Sequence, residues 1–133
     1  MHHIVKSNGA TECNSAAPPS TLLERIESAI ADTDCYEDEE PRPSATTLRK
    51  LKAIVTEAEA FFAQLRKPKI STYFGEIDLT WETHHRMLRL IAYPGEKPMQ
   101  LYVWVKDGSP LPKGTMTAAT ARILAVELSL VYA

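Results

Sequence analysis

Apolar and polar residues alternate most regularly between Phe74 and Glu82, where Ile77, Leu79 and Trp81 are interleaved with Glu76, Asp78, Thr80 and Glu82. A period of two predicts a strand buried on one face and wet on the other. Lys69 to Phe74 carries β-branched and aromatic residues and predicts a preceding strand, with Gly75 as a turn, bulge or bend between the two. Beyond the polar linker Glu82 to Arg86, the segment from Met87 to Tyr93 puts Leu88, Leu90 and Ala92 on one face and Met87, Arg89, Ile91 and Tyr93 on the other. After a Pro94–Lys97 turn, Met99, Leu101, Val103 and Val105 alternate with Gln100, Tyr102, Trp104 and Lys106, which completes an antiparallel meander.

The helical period appears elsewhere. Leu48, Leu51, Val55, Ala58, Phe62 and Leu65 recur every three or four residues behind the cap candidate Ser44, and Ile54 and Phe61 widen the stripe. This predicts one long helix ending at Pro68 and packed on the sheet. A shorter amphipathic helix is expected behind Ser20, with Leu22, Leu23, Ile26 and Ile30 on its apolar side. A last helix is expected behind Thr117, carrying Ile123, Val126 and Leu130 with Leu124, Leu128 and Val131 beside them; a strand is the alternative for this closing segment. Residues 1–19 show no sustained period and read as a mobile tail, leaving residues 20–133 as a single domain. The fold class expected is α+β: a long helix on a three- or four-stranded antiparallel meander, with helices flanking at both ends.

The order of these features resembles that in a family of small uncharacterised bacterial α+β proteins. The carriers are Pro43-Ser44 before the long helix and Gly75-Glu-Ile-Asp-Leu-Thr-Trp-Glu82 after it, over roughly Leu22 to Val105. The family's first motif holds a tryptophan where Cys35-Tyr36-Glu37-Asp38 stands, and its strand holds a glutamate where Thr80 stands. What the resemblance implies is the fold; it brings no function.

Composition narrows the options. At 133 residues, 44% apolar and 24% charged, the chain suits one soluble domain. No apolar run approaches the roughly 20 residues that span a bilayer, and the first twenty residues lack the apolar centre of an export signal, so a cytoplasmic protein is expected. The net charge is −2, unevenly spread: between Ser20 and Glu40 eight acidic residues face only Arg25, and the remainder is mildly basic.

Candidate chemistry is sparse. His84-His85 are adjacent in a turn and lack the spacing of a zinc site, so no metal is expected. Gly75, Gly95, Gly108 and Gly114 are isolated turn glycines, and no phosphate cradle, nucleotide or other cofactor follows from them. Catalysis would need Cys35 activated by His84 or His85, which folding alone could bring together; no catalytic residue is assigned, and a Cys/His-dependent enzyme is one alternative. Nucleic-acid binding through Arg49, Lys50, Lys52, Arg66, Lys67 and Lys69 is the other, disfavoured by a pI near 6.

Two features favour protein recognition. One is the acidic loop, with Asp34, Tyr36, Glu37, Asp38, Glu39 and Glu40, which would steer a basic partner. The other is the apolar second sheet face of Ile91, Tyr93, Tyr102 and Trp104, which either the terminal helices or a partner must cover. The expected function is a non-enzymatic protein-binding module, an inhibitor, antitoxin-like or immunity-like regulator or assembly subunit. Its expected partner is another protein, basic and encoded nearby, with a homodimer as a further option and no membrane involved.

Overall fold

A computed structural model describes residues 21–32, 36–61, 65–106 and 113–133. The N-terminal tail, Ser20, Asp34, both cysteines and Phe62 therefore lie outside the described residues. The chain forms α1 (Leu22–Ala31), α2 (Ala45–Ala58), five strands, namely β1 (Lys69–Tyr73), β2 (Glu76–Glu82), β3 (Arg86–Ala92), β4 (Gln100–Val105) and β5 (Lys113–Ala118), and α3 (Ala121–Val131). The strands form a single antiparallel sheet in sequence order.

The alternation in β2 sets the architecture. Ile77, Leu79 and Trp81 lie opposite Ala92, Leu90 and Leu88 of β3, and Leu90 and Leu88 lie opposite Leu101 and Val103 of β4. These residues share one face and are buried in one core with Ile26 of α1, Leu51 and Val55 of α2, and Leu124 and Leu128 of α3. All three helices therefore cover the same side of the sheet. Trp81 also donates its indole N–H to the Arg66 carbonyl at 2.7 Å, which fixes the segment entering β1.

The β1–β2 connection is a two-residue turn. Tyr73 pairs with Glu76, and between them Phe74 and Gly75 both take positive φ, 46° and 89°. That is the conformation of a tight hairpin matched to the right-handed strand twist, so Phe74 belongs to the turn and not to a strand.

Four expectations need correction. The helix behind Ser44 ends at Ala58; the amides of Ala60 and Phe61 then bond three residues back, to Glu57 and Ala58, in a tightening turn. Leu65 is nevertheless buried, and Phe61 is exposed. The apolar period recorded burial, and a turn can deliver a buried leucine as well as a helix can. Thr21, not Ser20, caps α1, accepting from the Glu24 amide at 3.1 Å. Thr120, not Thr117, caps α3, accepting from the Ile123 amide at 3.1 Å, and α3 turns Ala121, Leu124, Ala125, Leu128 and Val131 inward while Val126 and Leu130 face out. Finally, the sheet has a fifth strand. Residues 114–118 are exposed on both faces, so β5 carries no alternating pattern from which it could be read.

Candidate protein-binding face

With the helices on one side, the register assigns the other side of the sheet residue by residue. Met87 lies opposite Trp104, Arg89 opposite Tyr102, Ile91 opposite Gln100, and Tyr102 opposite Met116 of β5. On β2 the same face carries Glu76, Asp78, Thr80 and Glu82. No described helix packs here. The face is an apolar and aromatic band across β3, β4 and β5, bordered by carboxylates on β2.

The band is built of side chains that shield one another. Met87 and Ile91 are only 7% and 8% exposed although they belong to no helix-covered layer, and Met116 at the edge is 50% exposed. The Tyr102 and Trp104 rings stand 6.5 Å apart, tilted by 53°. Tyr102 leans over Gly114: a Cβ there would stand 2.2 Å from the phenol oxygen, so only glycine leaves room for the ring in this position. Among the described residues the buried Trp104 indole N–H has no hydrogen-bond partner. At the other end of the face, Tyr93 donates to Gln100 Oε1 at 2.8 Å and holds the Lys97 ammonium 3.9 Å above its ring.

The β2 border is electrostatically tense. Burial pushes the Asp78 carboxyl up to about 8; the neighbouring Glu76 adds to the rise, and Arg89 opposes it. Arg89 itself donates from Nε to Thr80 Oγ1 at 3.2 Å; the Asp78 carboxyl shares a hydrogen bond with Glu76, while its Oδ1 is buried with no partner among the described residues. Sequence alternation marked Asp78 as wet because it alternates with core residues. Period two says which face a residue takes, and nothing about whether its neighbours on that face desolvate it.

The acidic loop divides into inward and outward parts. Tyr36 joins the core at 9% exposure and donates to the Ile30 carbonyl at 2.7 Å, with the Arg42 guanidinium 5.0 Å over its ring. Glu40 accepts from the Glu37 amide at 3.0 Å and from the Phe74 amide at 2.9 Å, tying the loop to the β1–β2 turn. Glu37, Asp38 and Glu39 face solvent. The loop thus sits at the Ile91–Tyr93 end of the sheet. Trp104 lies at the opposite end, four residues or about 13 Å along β4 from Gln100.

Of the expected partner residues, Ile91, Tyr93, Tyr102 and Trp104 share one face, Glu37, Asp38 and Glu39 stand at its end, and Tyr36 and Glu40 serve the loop itself. Met87 and Arg89, which alternation already places on this face, complete it with Asp78 and Met116, and none of the four is among the expected partner residues; Met116 belongs to the strand that has no period.

The other candidate groups are dispersed. The His84 and His85 rings lie 3.8 Å apart in the exposed β2–β3 connection, and among the described residues no group of three or more His, Cys, Asp or Glu is placed to hold a metal ion. Lys50 donates to the Gly95 carbonyl, Lys52 pairs with Glu27 at 3.1 Å, and Arg66 stacks 4.6 Å over the Tyr132 ring, so these cations of the basic set are already engaged within the chain. No described helix is long and apolar enough to cross a membrane.

Comparison with known proteins adds no relative: no protein-family model, curated protein or solved structure matches the chain.

Proposed function

We propose that the chain is a non-enzymatic protein-binding module, an inhibitor or antitoxin-like or immunity-like regulator or an assembly subunit, whose partner docks on the helix-free sheet face. The observation that carries this reading is the band of Met87, Ile91, Tyr102, Trp104 and Met116 across three strands, with no described helix over it. Tyrosine, tryptophan and methionine are the residues enriched in interface cores, and a buried indole N–H lacking an acceptor suits a site completed by another molecule. The exposed carboxylates of Glu37, Asp38 and Glu39 at one end favour a partner with a basic rim, accelerating encounter more than deepening affinity.

The test is a paired capture from the native host at low salt, including the product of the neighbouring gene, with wild type and a Tyr102→Ala/Trp104→Ala double variant as baits. A protein retained by wild type and lost from the variant, and which binds wild type directly when purified, supports the reading. Identical retention by both baits, or none by either, refutes it.

A further inference from the structure

Among the described residues no strand pairs with the outer edge of β5, and that edge points to a second copy of this chain as an occupant. The Ala119 amide donates to the Met99 carbonyl at 3.0 Å, and the register continues Gln100 opposite Ala118 and Tyr102 opposite Met116. In an antiparallel ladder the directly bonded pairs alternate. The residues bonded to β4 are therefore Lys113, Thr115, Thr117 and Ala119, while Gly114, Met116 and Ala118 turn their amides and carbonyls outward. Residues 114–118 are all exposed, so this row is open to solvent.

We infer that the chain forms a two-fold symmetric dimer by antiparallel pairing of β5 with β5 of a second copy, centred on Met116. In that register Met116 meets its own symmetry mate and Gly114 meets Ala118. All three outward-facing residues of each strand are then matched, with six main-chain hydrogen bonds across the axis. Shifting the centre by one residue would put Thr115 or Thr117 on the axis, match only two of the three outward residues of each strand and leave four of the six bonds.

Three further features fit this occupant. Edge strands are normally guarded by proline, charge or a covering element; the described β5 residues include no proline, no acid and one base, Lys113. Centred on Met116, Lys113 falls opposite Ala119, so like charges do not meet. The core residues of α3 pack with β2, β3 and α2, and Thr115 and Thr117 on the helix side of β5 stay exposed, so no described helix obstructs the approach. A two-fold axis perpendicular to the sheet keeps corresponding faces on the same side. The Trp104–Tyr102–Met116 band of one copy would then run into that of the other, giving a ten-stranded sheet with an unbroken aromatic face. The inference stands apart from the identity of any other partner, since it uses the strand edge and not the face.

Sedimentation over about a hundredfold range of concentration tests it. The expected mass rises from 14.8 kDa toward twice that value. Met116→Pro removes an outward amide while leaving every bond to β4 intact, and Met116→Lys sets two charges together on the axis. Both variants are expected to stay monomeric with unchanged far-UV circular dichroism. A register check uses single cysteines with Cys13 and Cys35 changed to serine. Met116→Cys is expected to form a disulfide-linked dimer on mild oxidation, because a directly bonded pair sets the Cα atoms about 5.5 Å apart; Ala118→Cys, which faces Gly114, is not. A wild-type mass of 14.8 kDa throughout overturns the inference. So does a dimer that persists in both Met116 variants, or equal cross-linking through positions 116 and 118. An edge that instead takes an extended segment of a different protein would leave the isolated chain monomeric, and so counts against it.

Discussion

Replacing Asp78 with asparagine probes the β2 border directly. In the folded protein burial, reinforced by Glu76, raises the Asp78 carboxyl to about 8, whereas in the unfolded chain an aspartate ionises near 3.9. Between those two values the folded state holds one proton more than the unfolded state. Stability is therefore fully present below about pH 4 and is lost as pH rises toward 8. At about 1.36 kcal/mol per pH unit the full shift has a ceiling of about 5 to 6 kcal/mol. Asp78 keeps part of its surface in water and lies beside Arg89, so screening should reduce the measurable loss to about 1–3 kcal/mol. Asparagine has nearly the same shape and does not titrate. Urea denaturation followed by circular dichroism, at several pH values between about 4 and 8.5, should show wild type weakening with pH relative to Asp78→Asn. The variant should be the more stable protein at the alkaline end. A difference between the two proteins that does not change with pH would refute the argument, because it would mean that Asp78 has the same proton affinity folded and unfolded.

Two other substitutions test the contacts that hold the face in place. Trp81→Phe removes the donor to the Arg66 carbonyl and leaves a gap in the core; together these should cost about 2–4 kcal/mol in a urea unfolding curve, and a loss below about 1 kcal/mol would show that the segment before β1 does not depend on this bond. Glu40→Ala releases the amides of Glu37 and Phe74, for an expected loss of about 1 kcal/mol and faster hydrogen exchange at Phe74; unchanged Phe74 protection would contradict the link between the acidic loop and the hairpin.

The parts of the fold legible from sequence are those whose side chains face two different environments. Strands β2, β3 and β4 carry a core face and a second face of different chemistry, and their extents were readable to within a residue or so. Ser44 was readable as a cap, and it accepts from the Thr47 amide at 3.1 Å. Where the environment is uniform the pattern has nothing to report. Helix α3 is apolar nearly all round, so which stripe faces the core was decided by packing. The end of α2 was hidden because Leu65 stays buried after the helix has stopped. Within the candidate site, the juxtaposition of Ile91, Tyr102 and Trp104 followed from alternation alone. The proton affinity of Asp78 and the fit of Tyr102 over Gly114 did not, since both arise between strands that only folding brings together.

The Phe74–Gly75 turn has a consequence for how this chain tolerates mutation by length. A two-residue loop with both positions in the left-handed region has no slack to absorb an added amino acid. A codon inserted between Tyr73 and Glu76 could be bulged out only by opening the tight turn. A codon inserted within β2 would instead reverse the faces of every β2 residue on one side of it, sending apolar side chains of the Ile77, Leu79, Trp81 set into water and bringing their polar neighbours under the helices. Substitutions along this hairpin should therefore be graded in effect, whereas single-codon insertions and deletions should act as all-or-none lesions. Residues 94–99, between β3 and β4, join their strands without a tight hairpin and should accept extra length far more readily.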